Sequence, residues 1–303
     1  LKQQSDFWSQ YWAPKGDAGL LTRSTCHSSM DTFRNHALPH AAEYSFTLHD
    51  FLKGLKGFNR TSKGVDFFTT KDLKWCPHIL LTSIAESMQQ SVRTLAMPHQ
   101  LSLSLNACLG KKEGLRTITL TSILYAVWNR SQDVVREWEL EHLTEFDTCK
   151  PGSSALLAAL GRSLQAEIGN LLQQKVGGSF HDYHKFFDSM DMSLLLAEAV
   201  HTEYPPVHLA FAIQQHVAPR IIKLKNFLGA PIEIYSSIIA GCRQSIPMTR
   251  VYLQRGIDNV VNNSNKELEV NPSILEDASR HTSSLDLAKT CLLYTSDAAD
   301  DLG

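Results

Sequence analysis

Residues 180 to 191, Phe-His-Asp-Tyr-His-Lys-Phe-Phe-Asp-Ser-Met-Asp, bring together side chains that can do chemistry: His181, Asp182, His184, the aromatic pair Phe186-Phe187, and Asp188. Carboxylate oxygens suit hard divalent cations, and imidazole beside carboxylate suits zinc or iron. His181, Asp182 and His184 share no helical face, however, and no third histidine follows at a fixed distance. A plainer reading is a solvated turn that caps a helix starting near Ser189 or Ser193, with both phenylalanines in the core.

Such a turn needs elements to hold it. Residues 79–95 place Leu81, Ile84, Met88, Val92 and Leu95 on one stripe, and residues 154–174 do the same with Leu157, Leu160, Leu164, Ile168 and Leu171. This period predicts two core helices. Between them, Leu101, Leu103, Leu105, Ala107 and Leu109 alternate, and the chain turns through Lys111-Lys112-Glu113-Gly114 into Arg-Thr-Ile-Thr-Leu, which predicts a β-hairpin over 100–120 with a basic tip. A second hairpin is expected over 220–239, turning at its Gly/Pro segment. A helix before it is bracketed by Pro205-Pro206 and Pro219. Helices alternating with antiparallel hairpins predict an α+β fold. Beyond residue 256 the chain turns rich in Asn, Ser, Asp and Glu, which reads as loop, short helix or disorder.

The chain has 303 residues, 43% of them hydrophobic and 20% charged, enough for two domains or one elaborate one. No apolar run approaches the roughly 18 residues of a membrane helix. Six scattered cysteines without a C-x-x-C pair argue against a zinc ribbon or disulfide scaffold and for reduced, intracellular thiols. The chain opens on Leu1 with no signal-peptide pattern, so it reads as a fragment. The net charge of -2 offers no global attraction to a polyanion, so a nucleic-acid binder would have to rely on local basic patches; Arg220, Lys223 and Lys225 form one candidate, or else a basic edge strand that deters pairing.

Three segments carry a resemblance to a known family. Residues 111–130 (KKEGLRTITLTSILYAVWNR), 182–199 (DYHKFFDSMDMSLLLAEA) and 240–253 (AGCRQSIPMTRVYL) resemble, in order, blocks of reverse transcriptases, most closely those of non-LTR (LINE-like) retroelements. Upstream, residues 61–77 resemble the family's entry into the fingers, with Gly64 and Asp66 in matching order, so the resemblance spans roughly 58–255. Sixty-six positions separate Arg116 from Asp182 (182 − 116), and 62 separate Asp182 from Gln244 (244 − 182).

The resemblance implies polymerase fingers and a partial palm, and nucleotidyl transfer by a two-metal mechanism. By the same carry-over, Asp182 is the catalytic carboxylate that holds Mg²⁺, and Phe187 lies under the sugar and excludes a 2′-hydroxyl. Arg116, with Lys111 or Lys112, clamps the triphosphate, and Gln244 lines the template and incoming base. The implied partners are an RNA template, a DNA primer and deoxynucleoside triphosphates. Thr117 and Ser245 stand where the family has proline and glycine, and Gly177-Gly178-Ser179 make a poor strand to deliver Asp182.

The family's second metal motif, an aromatic-x-Asp-Asp turn between apolar strands, has one counterpart downstream, Ala299-Asp300-Asp301, and only Leu302-Gly303 follow it. Residues 291–301 resemble the in-frame translation of a sequencing adapter, so the expectation is a C-terminally truncated fragment, inactive by itself. The expected division is a helical lead-in (1–57), a fingers-like region (58–150), a partial palm (151–256), a polar segment (257–290) and an adapter-like tail (291–303). Two other readings stay open: a non-catalytic remnant that at most binds RNA, and a helical interaction protein.

Overall fold

The chain opens as helices, and a computed structural model describes residues 1–110, 115–143, 154–173 and 185–270. These fall into two compact units. The first holds residues 1–138 and 185–252, the second the described residues among 139–173 and 253–270.

In the first unit, α1 (Lys2–Trp12), α2 (Gly16–Ala41) and α3 (Leu48–Leu55) precede α4 (Thr70–Trp75) and α5 (His78–Arg93). Two of these starts follow directly from sequence. Thr47 with Asp50, and Thr69 with Asp72, form reciprocal capping boxes that satisfy the otherwise orphaned first-turn amides of α3 and α4. The chain continues through β1 (Ser104–Gly110), β2 (Leu115–Leu120), α6 (Ile123–Arg130) and α7 (Asp133–Glu141), which crosses into the second unit. There α8 (Ala155–Leu171) follows. The first unit resumes with a 3-10 turn (Phe186–Asp188), α9 (Met192–His201), α10 (Pro206–His216), β3 (Arg220–Leu224) and β4 (Phe227–Ile232). Last comes α11 (Ser245–Val270), which begins in the first unit and ends in the second.

Both expected hairpins form, and the fold is mixed α+β. They join into one four-stranded sheet of order β2-β1-β3-β4, antiparallel within each hairpin and parallel where β1 meets β3. Leu109 pairs with Arg116 near the end of the first hairpin, whose tip, residues 111–114, lies outside the described residues. Because the central pair is parallel, the ends of β1 and β2 at Gly110 and Leu115 lie at the same end of the sheet as the β3–β4 turn.

That second turn is not where sequence placed it. Leu224 pairs with Phe227, so the turn is Lys225-Asn226, with Lys225 in the left-handed region at φ 55°. Gly229 and Pro231 lie inside β4 instead. An edge strand tolerates Pro231 because its missing donor can face away from the ladder.

Two further expectations change. The polar stretch after 256 continues as helix to Val270, because Ser245–Val270 is a single element. The α8 stripe is not core: Leu157, Leu160, Leu164, Ile168 and Leu171 are all exposed. The main core instead gathers Phe33 and Ala37 of α2, Phe51 of α3, Met88 and Val92 of α5, Trp128 of α6 and Phe211 of α10. A smaller cluster, Trp8 and Trp12 with Ile222, Ile232 and Ile234, seats α1 on the sheet.

Candidate active site

Asp191 caps α9, which starts at Met192, next to the expected start near Ser193: its Oδ1 accepts from the backbone N–H groups of Ser193 and Leu194 and from the Ser193 hydroxyl. This fixes the end of the segment that begins at Lys185. Ahead of the cap, Phe186–Asp188 form one tight turn, which a backbone bond ties to the strand-like segment after β4: Ile238 N–H donates to the Phe187 carbonyl at 2.8 Å. An isolated antiparallel bridge between Asp191 and Ser236 continues that alignment.

The segment after β4 is held from its other side by a buried charged network. Arg220, 1% exposed at the start of β3, donates from Nη1 to Ser237 Oγ and from Nη2 to the His216 carbonyl, both at 2.9 Å. Its guanidinium lies over the Trp12 ring at 4.9 Å, and Trp12 Nε1–H donates to Asp188 Oδ1 at 2.8 Å. His216 Nδ1 accepts from Ile239 N–H at 3.0 Å, which assigns the ring proton to Nε2.

Burial shifts every ionisable member. It pushes the Asp188 carboxyl up, opposed by Trp12, Arg220 and Lys185. It lowers Arg220 to about 10, opposed by Asp188. Burial, with Arg220 adding repulsion, lowers His216 to about 3, so the ring is neutral near pH 7. Arg220 is therefore engaged inside the protein, and its expected role on a phosphate backbone falls away. Lys223 and Lys225 keep more exposed positions at the sheet end.

From Ile239 the chain turns through Gly241, at φ 85°, into α11. Cys242 N–H donates to the Ile239 carbonyl, and Ser245 N–H to the Cys242 carbonyl. Ser245, where the resemblance expects glycine, is buried and closes the turn by donating from Oγ to the same Ile239 carbonyl. Asn129 Nδ2–H donates to Cys242 Sγ at 3.1 Å.

At the end of this turn sits Gln244, 1% exposed, with its carbonyl accepting from Met248 N–H. Among the described residues neither its Nε2 nor its Oε1 has a hydrogen-bond partner. A buried amide left without partners costs about 1–3 kcal/mol, so this side chain weighs against stability.

Of the residues singled out from sequence, Phe187 and the turn bearing Gln244 are thus brought onto adjoining backbone segments. Arg116 enters as part of β2, in the same sheet as β3. Asp182, Lys112 and the Asp300-Asp301 pair lie outside the described residues. Among the described residues no group of three or more His, Cys, Asp or Glu is arranged to hold a metal. Asp188 is no substitute ligand, being committed to Trp12 and to the field of Arg220.

Sequence reasoning missed the Arg220–Trp12–Asp188 network. Its only signal was a charged residue opening an apolar strand, which reads equally well as surface. No helix among the described residues is long and apolar enough to cross a membrane. Compared with known proteins, the chain matches no family model and no curated protein.

Proposed function

We propose that this chain derives from an RNA-directed DNA polymerase of a non-LTR retroelement, with fingers and part of a palm. What supports the reading is one observation: two separated sequence blocks of the resemblance, those bearing Phe187 and Gln244, meet where the Phe186 and Tyr252 rings lie edge to face with centroids 6.1 Å apart, and Ile238, two residues ahead of the second block, donates to the Phe187 carbonyl. The block bearing Arg116 belongs to the same sheet as β3, which leads into that turn.

In this reading Asp182 holds Mg²⁺, which when bound would stabilise the attacking and leaving oxygens of nucleotidyl transfer. Phe187 supplies the flat apolar surface beneath the nucleotide sugar. Gln244, with the turn at Gly241, lines the template and incoming base pair. Arg116, helped by Lys112, binds the triphosphate, for which the guanidinium fork is geometrically suited. The implied substrates are deoxynucleoside triphosphates, an RNA template and a DNA primer.

Primer extension on an RNA template with Mg²⁺ tests the proposal. Incorporation that Asp182→Ala abolishes would establish the catalytic reading, against the sequence expectation of a fragment inactive by itself. Incorporation no greater than that of the Asp182→Ala control would leave a non-catalytic remnant of the same ancestry. The buried Ser245 makes either outcome compatible with an intact turn.

A further inference from the structure

The segment between α3 and α5 spends its acidic groups internally and displays its rings. Arg60 Nη2 donates to the Thr121 carbonyl at 2.7 Å, and Asp66 Oδ2 accepts from Ser122 Oγ at 2.8 Å and from Ile123 N–H at 2.7 Å, capping α6. Gly64 packs so closely that a Cβ there would come within 2.3 Å of the Thr121 carbonyl oxygen. Asp72 is committed to the Thr69 capping box. This loop is therefore clamped at several points to the junction of β2 and α6.

A clamped loop normally buries its aromatic residues, yet Phe67 is 70% exposed and holds a left-handed backbone (φ 57°) that bulky residues rarely adopt. Phe68 beside it is 52% exposed, and Trp75 at the end of α4 is 80% exposed. The other four tryptophans, Trp8, Trp12, Trp128 and Trp138, are all buried. Lys71 lies one turn before Trp75 on the same face of α4, and Lys63 is exposed in the loop. Residues 56–76 hold five bases (Lys56, Arg60, Lys63, Lys71, Lys74) against two acids (Asp66, Asp72), a local charge of +3 in a chain of net -2.

Rigidly presented rings interleaved with lysines match one ligand chemistry, a flexible polyanion with flat faces. We propose that Phe67, Phe68 and Trp75, with Lys63 and Lys71, form a stacking ledge for single-stranded nucleic acid. Bases stack on the rings while the lysines follow the phosphates. The ledge is fastened to Thr121, five residues beyond Arg116, or about 17 Å along an extended strand. That the strand is RNA, the template approaching the nucleotide site, rests on the polymerase reading.

The test measures binding of the full chain to a labelled oligouridylate of about 12 nucleotides, within the span of one such module. Oligothymidylate and a blunt duplex serve as comparison arms. Nucleotide and Mg²⁺ are omitted, so failure of the ledge and failure of primer extension are separate results. Phe67→Ala and Trp75→Ala are each expected to weaken single-strand binding roughly 5- to 100-fold with unchanged melting temperature. Lys63→Gln should lower the salt slope by about 0.7. RNA should quench the tryptophan fluorescence of the wild type and leave that of Trp75→Ala unchanged.

Phe67→Gly separates strain from folding. It should raise the melting temperature, since glycine accepts this φ, and still weaken binding. Wild-type chain that binds no oligonucleotide at low salt, or ring variants that bind like wild type, would overturn the ledge. So would self-association that Trp75→Ala abolishes with nucleic-acid affinity unchanged, since the rings would then serve a protein interface. Preference for oligothymidylate would keep the ledge and remove its assignment to RNA.

Discussion

Leu81, Ile84, Met88, Val92 and Leu95 in and just after α5 recur at spacings of three, four, four and three residues, and Leu157, Leu160, Leu164, Ile168 and Leu171 in α8 recur at the same four spacings. In α5 the stripe packs into the main core, with Val92 fully buried. In α8 it is exposed, Leu171 at 83%. The difference teaches that hydrophobic period encodes a helix and its preferred face, while burial depends on a second surface contributed from elsewhere in the chain. Helices α2, α3 and α6 bring Phe33, Phe51 and Trp128 into the core that α5 enters.

The comparison can be broken or sharpened by substitution. The largest effect is expected where the covered region also buries charge. Arg220→Ala takes away one of the two cations that favour the Asp188 carboxylate, leaving Lys185, and removes the buried bonds to Ser237 and the His216 carbonyl. Denaturant unfolding should show a loss of about 3–5 kcal/mol. A loss below about 1 kcal/mol would mean that the network does not hold the turn.

Next comes α5 itself. Met88→Ala empties a buried site and should cost about 2–4 kcal/mol, read as a fall in the midpoint without a change in slope.

A third effect is set by pH. His216 is held well below its ordinary value, to about 3, so between that value and about 6.5 the unfolded chain binds the extra proton. Stability contributed by the neutral ring is therefore complete above about pH 6.5 and declines as pH falls, by up to about 1.4 kcal/mol per unit. Unfolding midpoints measured from pH 7 to 4 should fall accordingly, and more shallowly in His216→Asn.

The smallest effect is expected on the exposed stripe. Leu164→Gln should change stability by no more than about 0.5 kcal/mol. A loss above about 2 kcal/mol would show that α8 is covered in solution and would erase the contrast with α5.

Much of the fold was legible because its signals are local. Pro206 stands at the first turn of α10, and alternation in 100–120 and 220–239 marks both hairpins. The capping-box spacings of Thr47 with Asp50 and Thr69 with Asp72 carry the same kind of signal and were not read. The turn at Lys225-Asn226 was not legible, because Gly229 and Pro231 carry the stronger turn propensity and only edge position lets them remain in a strand. Helix α11 runs on past 256, where loop, short helix or disorder were all open, for a related reason: polar composition is compatible with helix once the first turns are anchored by buried residues such as Met248 and Val251.

The candidate site divides in the same way. Residue order and type along the chain singled out Phe187, Gln244, Arg116, Lys112 and Asp182, since each is readable one block at a time. Sequence alone also determined the helical and strand periods and the local excess of lysine around Phe67. Only tertiary structure decided that Phe187 and the Gln244 turn meet, that Arg220 is internal, that two distant hairpins share one sheet, and that Phe67 and Trp75 face outward. Each of these depends on which surfaces the chain brings together at long range, and a one-dimensional pattern specifies the surface without specifying its partner.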